Sequence, residues 1–417
     1  DRAEELFKTK HKNIKYISAN VLAENERSKY LFLNNNYKYD NLWFSKKINW
    51  LIKNISIDIK YELNIGEKLI TINNRKIGPG YRPFIIAELS ANHNNDLELA
   101  KKIVVEAKKC GADAVKLQTY TEDTITLDSK KDDFCIKGGL WDGYTLYDLY
   151  KEASLPWEWH KPLFDLANEI GITMFSSPFD NSAIDYLEEL GCPAYKIASF
   201  EAVDHQLIEY AAKTKKPLII STGMANLDEI ETSFKVAKRN GAKDITLLYC
   251  VSNYPSSIND FNLNNIKILK DKFKCRVGIS DHSTDNRVAI ASVACGAEVI
   301  EKHIALDNQK KGLDIDFSIK GKEIKKLRDD IDIAFNLLGK NIFFRNKNEN
   351  KSKVFRRSIF TTKKIKKGQK FTKNNLKVVR PGYGIEPKYF NKILNKKSPK
   401  NIDKHEPLKS AILKNLY

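Results

Sequence analysis

The feature that most limits how this chain folds is an alternation: eight short apolar segments separated by stretches of helical period. The apolar segments read PFIIAELSA (83–91), ADAVKLQTY (112–120), GITMFSSP (171–178), PAYKIASF (193–200), KPLIISTG (216–223), DITLLYCVS (244–252), CRVGISD (275–281) and AEVIEKHIA (297–305). Between them stand amphipathic patterns such as DLELAKKIVVEAKKCG, NSAIDYLEELG and LDEIETSFKVAKRNG, several closed by the glycine that suits a helix end. Strand and helix alternating in this way over about 220 residues predict a parallel (β/α)8 barrel, an α/β fold in which chemistry gathers where the strands end.

With 417 residues the chain is long enough for two or three domains, and 42% hydrophobic with 30% charged residues fits a water-soluble protein. No run approaches the roughly 18 consecutive apolar residues of a membrane span, and no basic-then-apolar leader opens the sequence, so the expectation is a cytoplasmic protein with no membrane partner. Six cysteines lie far apart with no C-x-x-C, which argues against a zinc ribbon or a disulfide framework. The net charge of +18 is local: residues 341–417 hold 22 Lys and Arg against 4 Asp and Glu, and the rest of the chain is balanced. Such a segment is a solvated lysine-rich face, a means of steering a small anion, or a grip on nucleic acid. It lacks the interleaved aromatic and glycine pattern of an RNA-binding sheet, and no nucleic-acid partner is expected.

The predicted strand ends are polar throughout. In order they offer Glu88, then Lys116 and Gln118, Ser176 and Ser177, Lys196 and Ser199, Ser221 and Thr222, Ser252 and Tyr254, Ser280 with Asp281 and His282, and Glu301 with His303. Two lysines and several hydroxyls on one rim suit a small phosphorylated or carboxylated anion, because their donors satisfy its oxygens where water is excluded. Two histidines on neighbouring strands are either structural or joint ligands of a divalent metal whose other positions go to water and substrate.

These segments together resemble the sialic acid synthases, which condense phosphoenolpyruvate with an N-acetylated sugar to make nonulosonic acids. The resemblance runs over residues 77–412, through IAELSANHNNDLELAKKIVVEAKKCGADAVKLQT, FSSPFD, YKIAS, IISTGMA, GISDHS and EKH, and through a C-terminal RRSIF…IKKGQKFTKNNLKVVRPGYGI. It implies a synthase barrel over 77–339, a linker over 340–354 and an antifreeze-like (SAF, β-clip) lid over 355–417. The stretch FCIKGGLWDGYTLYDLYKEASLPWEWH (134–160) is similar to the pseudaminic acid synthase branch, whose sugar is a 2,4-diacetamido-2,4,6-trideoxy-altrose. Within the same family the alternatives are an N-acetylneuraminate or a legionaminate synthase.

By that resemblance His282 and His303 hold a divalent cofactor metal, Mn2+ or Mg2+, which polarises the aldehyde of the open-chain sugar. Lys116, Lys196, Ser199, Ser221 and Ser280 match positions holding the phosphate and carboxylate of phosphoenolpyruvate, with Ser177 where better-known relatives have threonine. Gln118 and Asp314 match residues contacting the sugar, Tyr254 belongs to the same substrate-binding set, and Arg380 in VVRPG matches an arginine that the lid brings to the acylamino group. Glu88 and Glu201 match carboxylates that handle protons and water, and with Lys116 they form the expected catalytic set. In CVSNYP, Ser252 and Asn253 stand where the sialic acid enzymes have an asparagine two residues before the tyrosine, a departure that bears on the sugar. The expected partners are phosphoenolpyruvate, an acetamido sugar and a second copy of the chain in a domain-swapped homodimer, which an extended 340–354 linker is long enough to permit.

A competing enzymatic reading makes Lys196 a Schiff-base lysine of a barrel aldolase. At the other end of the chain, ISANVLAENERSKYLFLNNNYKYD (17–40) resembles the last strand and helix of a GNAT-type N-acetyltransferase, with Asn25 and Ser28 at matching positions, so residues 1–50 read as a partial fused domain. Residues 51–76 read as a connector ending in a short β-hairpin.

Overall fold

A computed structural model describes residues 69–339, 343 and 345–414, and the acetyltransferase-like segment expected over 1–50 lies outside them. The described chain opens on a hairpin. Strand β1 (Ile70–Ile72) pairs antiparallel with β2 (Arg75–Ile77) around Asn73 and Asn74. Both asparagines have positive φ, 41° and 68°, the conformation that a two-residue turn with the twist of its strands requires and that asparagine tolerates. Ile70, Ile72 and Ile77 are buried in the main core, and Arg75 Nε reaches Asp113 Oδ1 at 3.0 Å.

The eight expected strands are present as β3 (Phe84–Glu88), β4 (Ala114–Thr119), β5 (Thr173–Pro178), β6 (Tyr195–Ile197), β7 (Leu218–Ser221), β8 (Ile245–Cys250), β9 (Arg276–Asp281) and β10 (Val299–Ala305). Each pairs in parallel with the next, and β10 returns to β3 with Val299 opposite Phe84, so the sheet closes into a barrel without an edge. The strands are buried along their length, as parallel strands wrapped by helices must be, which is why they read as apolar runs. At Gly278 on β9, a Cβ would lie 2.1 Å from the carbonyl oxygen of Val299, so that close strand contact admits only glycine. The strand most shortened against its apolar run is β6, which stops at Ile197; Ser199 turns into the α region (φ −69°, ψ −32°), and Phe200–Val203 form a 3-10 turn.

The helices start where the sequence supplies caps. Asp96 accepts from the amides of Glu98 and Leu99 ahead of helix Leu97–Lys109, Asp180 caps Asn181–Glu189, and Asn226 with Glu229 forms a capping box on Leu227–Arg239. Connections from helix back to strand take only two to five residues, as at 171–172 and 274–275. Those leaving strand ends include the long excursions 120–156, 251–263 and 306–318. After the last of these, β11 (Ile319–Lys320) adds to β10, and the helix Gly321–Leu338 closes the barrel unit.

A second compact unit begins at Gly339. Its core is Ile359, Ile365, Phe371, Leu376, Ile385, Ile393, Ile402, Leu408 and Ile412, around antiparallel strands β12 (Ser358–Thr361) and β13 (Leu376–Val379). Isolated bridges Phe360–Pro407, Ile365–Ile402 and Lys370–Lys397 add to its pairing. The stretch taken as an extended linker is not extended throughout: Lys347–Phe355 forms a 3-10 helix started by an Asn346–Glu349 capping box. At about 2 Å of rise per residue, such a helix spans little more than half the distance of an extended chain.

Candidate active site

Side chains two apart on a strand share a face, and at the C-terminal ends of the barrel strands that rule gathers the chemistry. Lys116 with Gln118, Ser280 with His282, and Glu301 with His303 all line one pocket of about 390 Å³, joined by Lys196, Ser199, Glu201, Ser221, Tyr254 and Asp314. At its floor Glu301 Oε1 accepts from Ser280 Oγ at 2.8 Å and from Lys196 Nζ at 3.2 Å, while Oε2 lies 3.8 Å from Lys116 Nζ. Lys116 Nζ in turn lies 2.7 Å from Glu88 Oε2 and donates to Ser177 Oγ at 3.2 Å.

Four buried charges share this floor, and their neighbours settle which are kept. Burial alone drives the Glu301 carboxyl up, but Lys116 and Lys196 outweigh it and hold the group at about 2. Burial, only partly opposed by Lys116 and reinforced by the charge on Glu301, pushes Glu88 up to about 7. Burial also lowers Lys196 from the ordinary lysine value, whereas for Lys116 the carboxylates of Glu301 and Glu88 overcome burial and raise it. The floor thus gathers two lysines around one firmly ionised carboxylate, in a medium that screens their charges weakly.

Around the rim the histidines stand with their rings 5.3 Å apart, walled by Phe317, which packs 4.8 Å from His303, and by Tyr254, 4.5 Å from His282. His282 Nδ1 donates to the carbonyl of Val251 at 3.1 Å, which leaves the Nε2 lone pair for a ligand bond. His303 Nδ1 is buried without a hydrogen bond, 3.6 Å from Asp314 Oδ2. Burial, His282 and the nearby lysines push His303 well below the usual histidine range, so it is neutral and its lone pair is available. This pair fits two nitrogen ligands of a divalent metal. No cluster of three or more His, Cys, Asp or Glu stands ready for a metal among the described residues, so such an ion would draw its other ligands from water and substrate.

On the far wall Glu201, pushed up to about 7 by burial, has Oε2 enclosed and without a hydrogen-bond partner, and Ser221 Oγ is likewise unpartnered. Ser252 Oγ donates to Ser199 Oγ at 2.9 Å, and Gly223 (φ 47°) passes so close that a Cβ there would meet Ser199 Cβ at 2.5 Å.

Two expected site residues lie one layer below the pocket rather than in its lining. Glu88 and Ser177 are fully buried and reach it through Lys116 and Gln118. Arg380 follows β13 in the second unit, where it is exposed. The pocket also holds residues to which no role had been assigned. Glu301 is the hub of the floor, and its i, i+2 relation to His303 in EKH was the available signal. Ser90 bridges Gln118 and Asp314, and Trp141, Tyr120, Tyr150 and Phe179 supply apolar wall. Nothing in the sequence pattern of the 120–156 excursion marks Tyr120, Trp141 and Tyr150 as lining rather than core.

The profile of the NeuB family matches residues 103–343, and that of the SAF domain matches 356–413. A pseudaminic acid synthase of Campylobacter jejuni (serotype O:23/36, strain 81-176) is 45% identical over 328 residues, covering 79% of this chain and 96% of the relative. An N,N'-diacetyllegionaminic acid synthase of Campylobacter jejuni (serotype O:2) is 39% identical over 78% of this chain and 98% of its own length. The crystal structure of an N-acetylneuraminic acid (sialic acid) synthetase from Leptospira borgpetersenii, in complex with citrate, superposes with a TM-score of 0.62 at 32% identity, covering 69% of this chain and 95% of that one.

Proposed function

The chain belongs to the NeuB family, and from that premise we propose that it condenses phosphoenolpyruvate with the open-chain aldehyde of an acetamido sugar, releasing phosphate and a nine-carbon acid. The observation that carries this reading is the pocket floor, where Lys116 and Lys196 share the carboxylate Glu301 beside Ser177 and Ser280. A multiply charged anion with oxygens at both ends finds there two lysine side chains and a set of hydroxyl donors, including the unpartnered Ser221. The sugar we assign is a 2,4-diacetamido-2,4,6-trideoxyhexose of the pseudaminic type, supported by the greater identity to the pseudaminic than to the legionaminic relative.

In the proposed reaction the methylene carbon of phosphoenolpyruvate attacks the aldehyde carbon. A divalent ion, Mn2+ or Mg2+, bound through His282 and His303 would supply Lewis acidity toward the aldehyde oxygen. The enol phosphate becomes an oxocarbenium centre at C2; Glu201, which lines the pocket, and Glu88, which reaches it through Lys116, are the nearby carboxylates of variable charge. Water adds to C2, its proton passes to one of these carboxylates, and the lysines and serines hold the phosphate as the C–O bond breaks. Gln118, Asp314 and Tyr254 are assigned to the sugar. Arg380 is assigned to the acylamino group from the SAF domain of a second copy, in a homodimer. All six cysteines are free, and no helix among the described residues is long and apolar enough to cross a membrane; we assign the enzyme to the cytoplasm.

The test is mass spectrometry of the product formed from phosphoenolpyruvate and a panel of acetamido sugars. A nonulosonic acid from the trideoxy-altrose sugar is the expected outcome. A product from N-acetylmannosamine alone would overturn the sugar assignment, and absence of any phosphoenolpyruvate-dependent product would overturn the reaction.

A further inference from the structure

Ser90 immediately follows β3 and Leu89 and is buried in the pocket wall with φ at 45°. That is the left-handed region, unfavourable for a residue with a Cβ, and unlike the neighbouring Asn94 and Asn95 it is not held there by an asparagine side chain. Glycine would fill this backbone position with less strain, so what distinguishes serine there is its hydroxyl. The hydroxyl is engaged in both directions: it donates to Asp314 Oδ2 and accepts from Gln118 Nε2 at 3.0 Å. The Ala91 amide adds a weaker contact to the same Asp314 oxygen at 3.4 Å.

Those contacts fix two other side chains. With Oδ2 taken, Asp314 keeps Oδ1 as its remaining acceptor. Gln118 spends its amide nitrogen on Ser90 Oγ and Glu88 Oε1, both at 3.0 Å, which defines the orientation of the amide and leaves its Oε1 as a second acceptor. The turn carrying Ser90 also anchors the loop carrying Asp314. Asn92 Nδ2 donates to the Ile304 carbonyl at 2.9 Å and to Ser318 Oγ at 2.8 Å, while Gln309 Nε2 donates to the Asn92 carbonyl at 2.6 Å.

We propose that Ser90 is a specificity-determining positioning residue, whose hydroxyl sets Asp314 and Gln118 as a paired acceptor face for the amide N–H and hydroxyl donors of the sugar. The phosphate and carboxylate of phosphoenolpyruvate offer only acceptors and gain nothing from that face, so Ser90 acts on the neutral substrate alone. This inference rests on the synthase reading above.

The experiment compares wild type, Ser90→Gly and Ser90→Ala by steady-state kinetics with both substrates varied, and by thermal melting of the substrate-free protein. Ser90→Gly relieves the backbone and removes the hydroxyl, so its melting temperature is expected to equal or exceed that of wild type. Its KM for the diacetamido sugar should rise about tenfold while that for phosphoenolpyruvate stays within about twofold. Ser90→Ala keeps the strain, and its sugar KM should match that of Ser90→Gly at a lower melting temperature. An unchanged sugar KM in Ser90→Gly, or KM values for both substrates rising together, overturns the assignment of Ser90 while leaving the synthase reading intact. A wild-type protein that turns over no acetamido sugar overturns both.

Discussion

Lys302 and Asp281 face each other across β10 and β9, with Nζ 2.9 Å from Oδ2 and neither side chain more than 1% exposed. The pair sits between the residues that point into the pocket. Glu301 and His303 flank the lysine, Ser280 and His282 flank the aspartate, and strand alternation sends the pair itself to the helix side. Lys302 Nζ also donates to the Ser283 carbonyl at 2.8 Å, and Asp281 Oδ1 accepts from the Ser283 amide at 2.9 Å.

Breaking this pair from one side leaves a buried charge alone. Lys302→Met is expected to destabilise the barrel by about 3–5 kcal/mol, read as a lowered urea midpoint, whereas Lys302→Met combined with Asp281→Leu should recover most of the loss. Equal midpoints for the single variant and wild type would show that the pair contributes nothing to stability.

Stability should fall between about pH 4.5 and 7. Glu201 has an ordinary value of 4.5 and is raised to about 7 in the fold, so in that window the unfolded chain releases a proton that the folded chain keeps. The contribution is fully present below pH 4.5, is lost as pH rises to 7, and amounts to roughly 3 kcal/mol for this group. Denaturation of the substrate-free protein at pH 5 and pH 8 should show a smaller difference for Glu201→Gln than for wild type. An identical pH slope in both would mean that the carboxylate is ordinary.

Chelation should abolish turnover, and added Mn2+ or Mg2+ should restore it. Calorimetric titration of Mn2+ into the stripped protein should show one site per chain, lost in His282→Ala and in His303→Ala while circular dichroism stays native. Normal metal binding by either variant would remove that histidine from the ligand set.

Phosphoenolpyruvate labelled with ¹⁸O at its bridging oxygen should deliver the label to inorganic phosphate, because the C–O bond breaks. Label retained in the sugar acid would mean P–O cleavage. In the same reaction borohydride should trap no adduct on Lys196, and a trapped adduct would favour the aldolase reading.

Arg380→Ala and Lys116→Ala variants, each expected to retain less than about 1% of activity, should regain part of it when unfolded and refolded together, if one copy supplies Arg380 to the other. Confirmed subunit exchange with no recovery would remove the shared site.

Much of this is legible in the sequence. The barrel strands announce themselves because burial on both faces makes them apolar runs, and many of the polar residues that end those runs line the pocket. Rules of short range ended there. That Glu301 ties Lys116 to Lys196 depends on strands 114–119, 195–197 and 299–305 meeting across a closed sheet, and apolar periodicity does not encode which strand ends touch. The left-handed Ser90 left no trace, since a serine before an asparagine-rich turn reads as an ordinary cap. The 3-10 helix at Lys347–Phe355 was hidden by its polarity, having no apolar face to betray a period.

The connections on the two ends of the barrel differ in length, and that difference governs how such a chain can diverge. At the helix-to-strand end, joins of two to five residues tie each strand to the helix before it, so an insertion there would shift a register and disturb closure. At the other end the 120–156 excursion, which carries Trp141 and Tyr150 to the pocket, begins and ends outside the paired strands. Length changes in it leave all eight pairings untouched. Descent with modification therefore has one permissive pole, where the reception of the sugar can be rewritten segment by segment, and one intolerant pole that preserves the reaction while this happens.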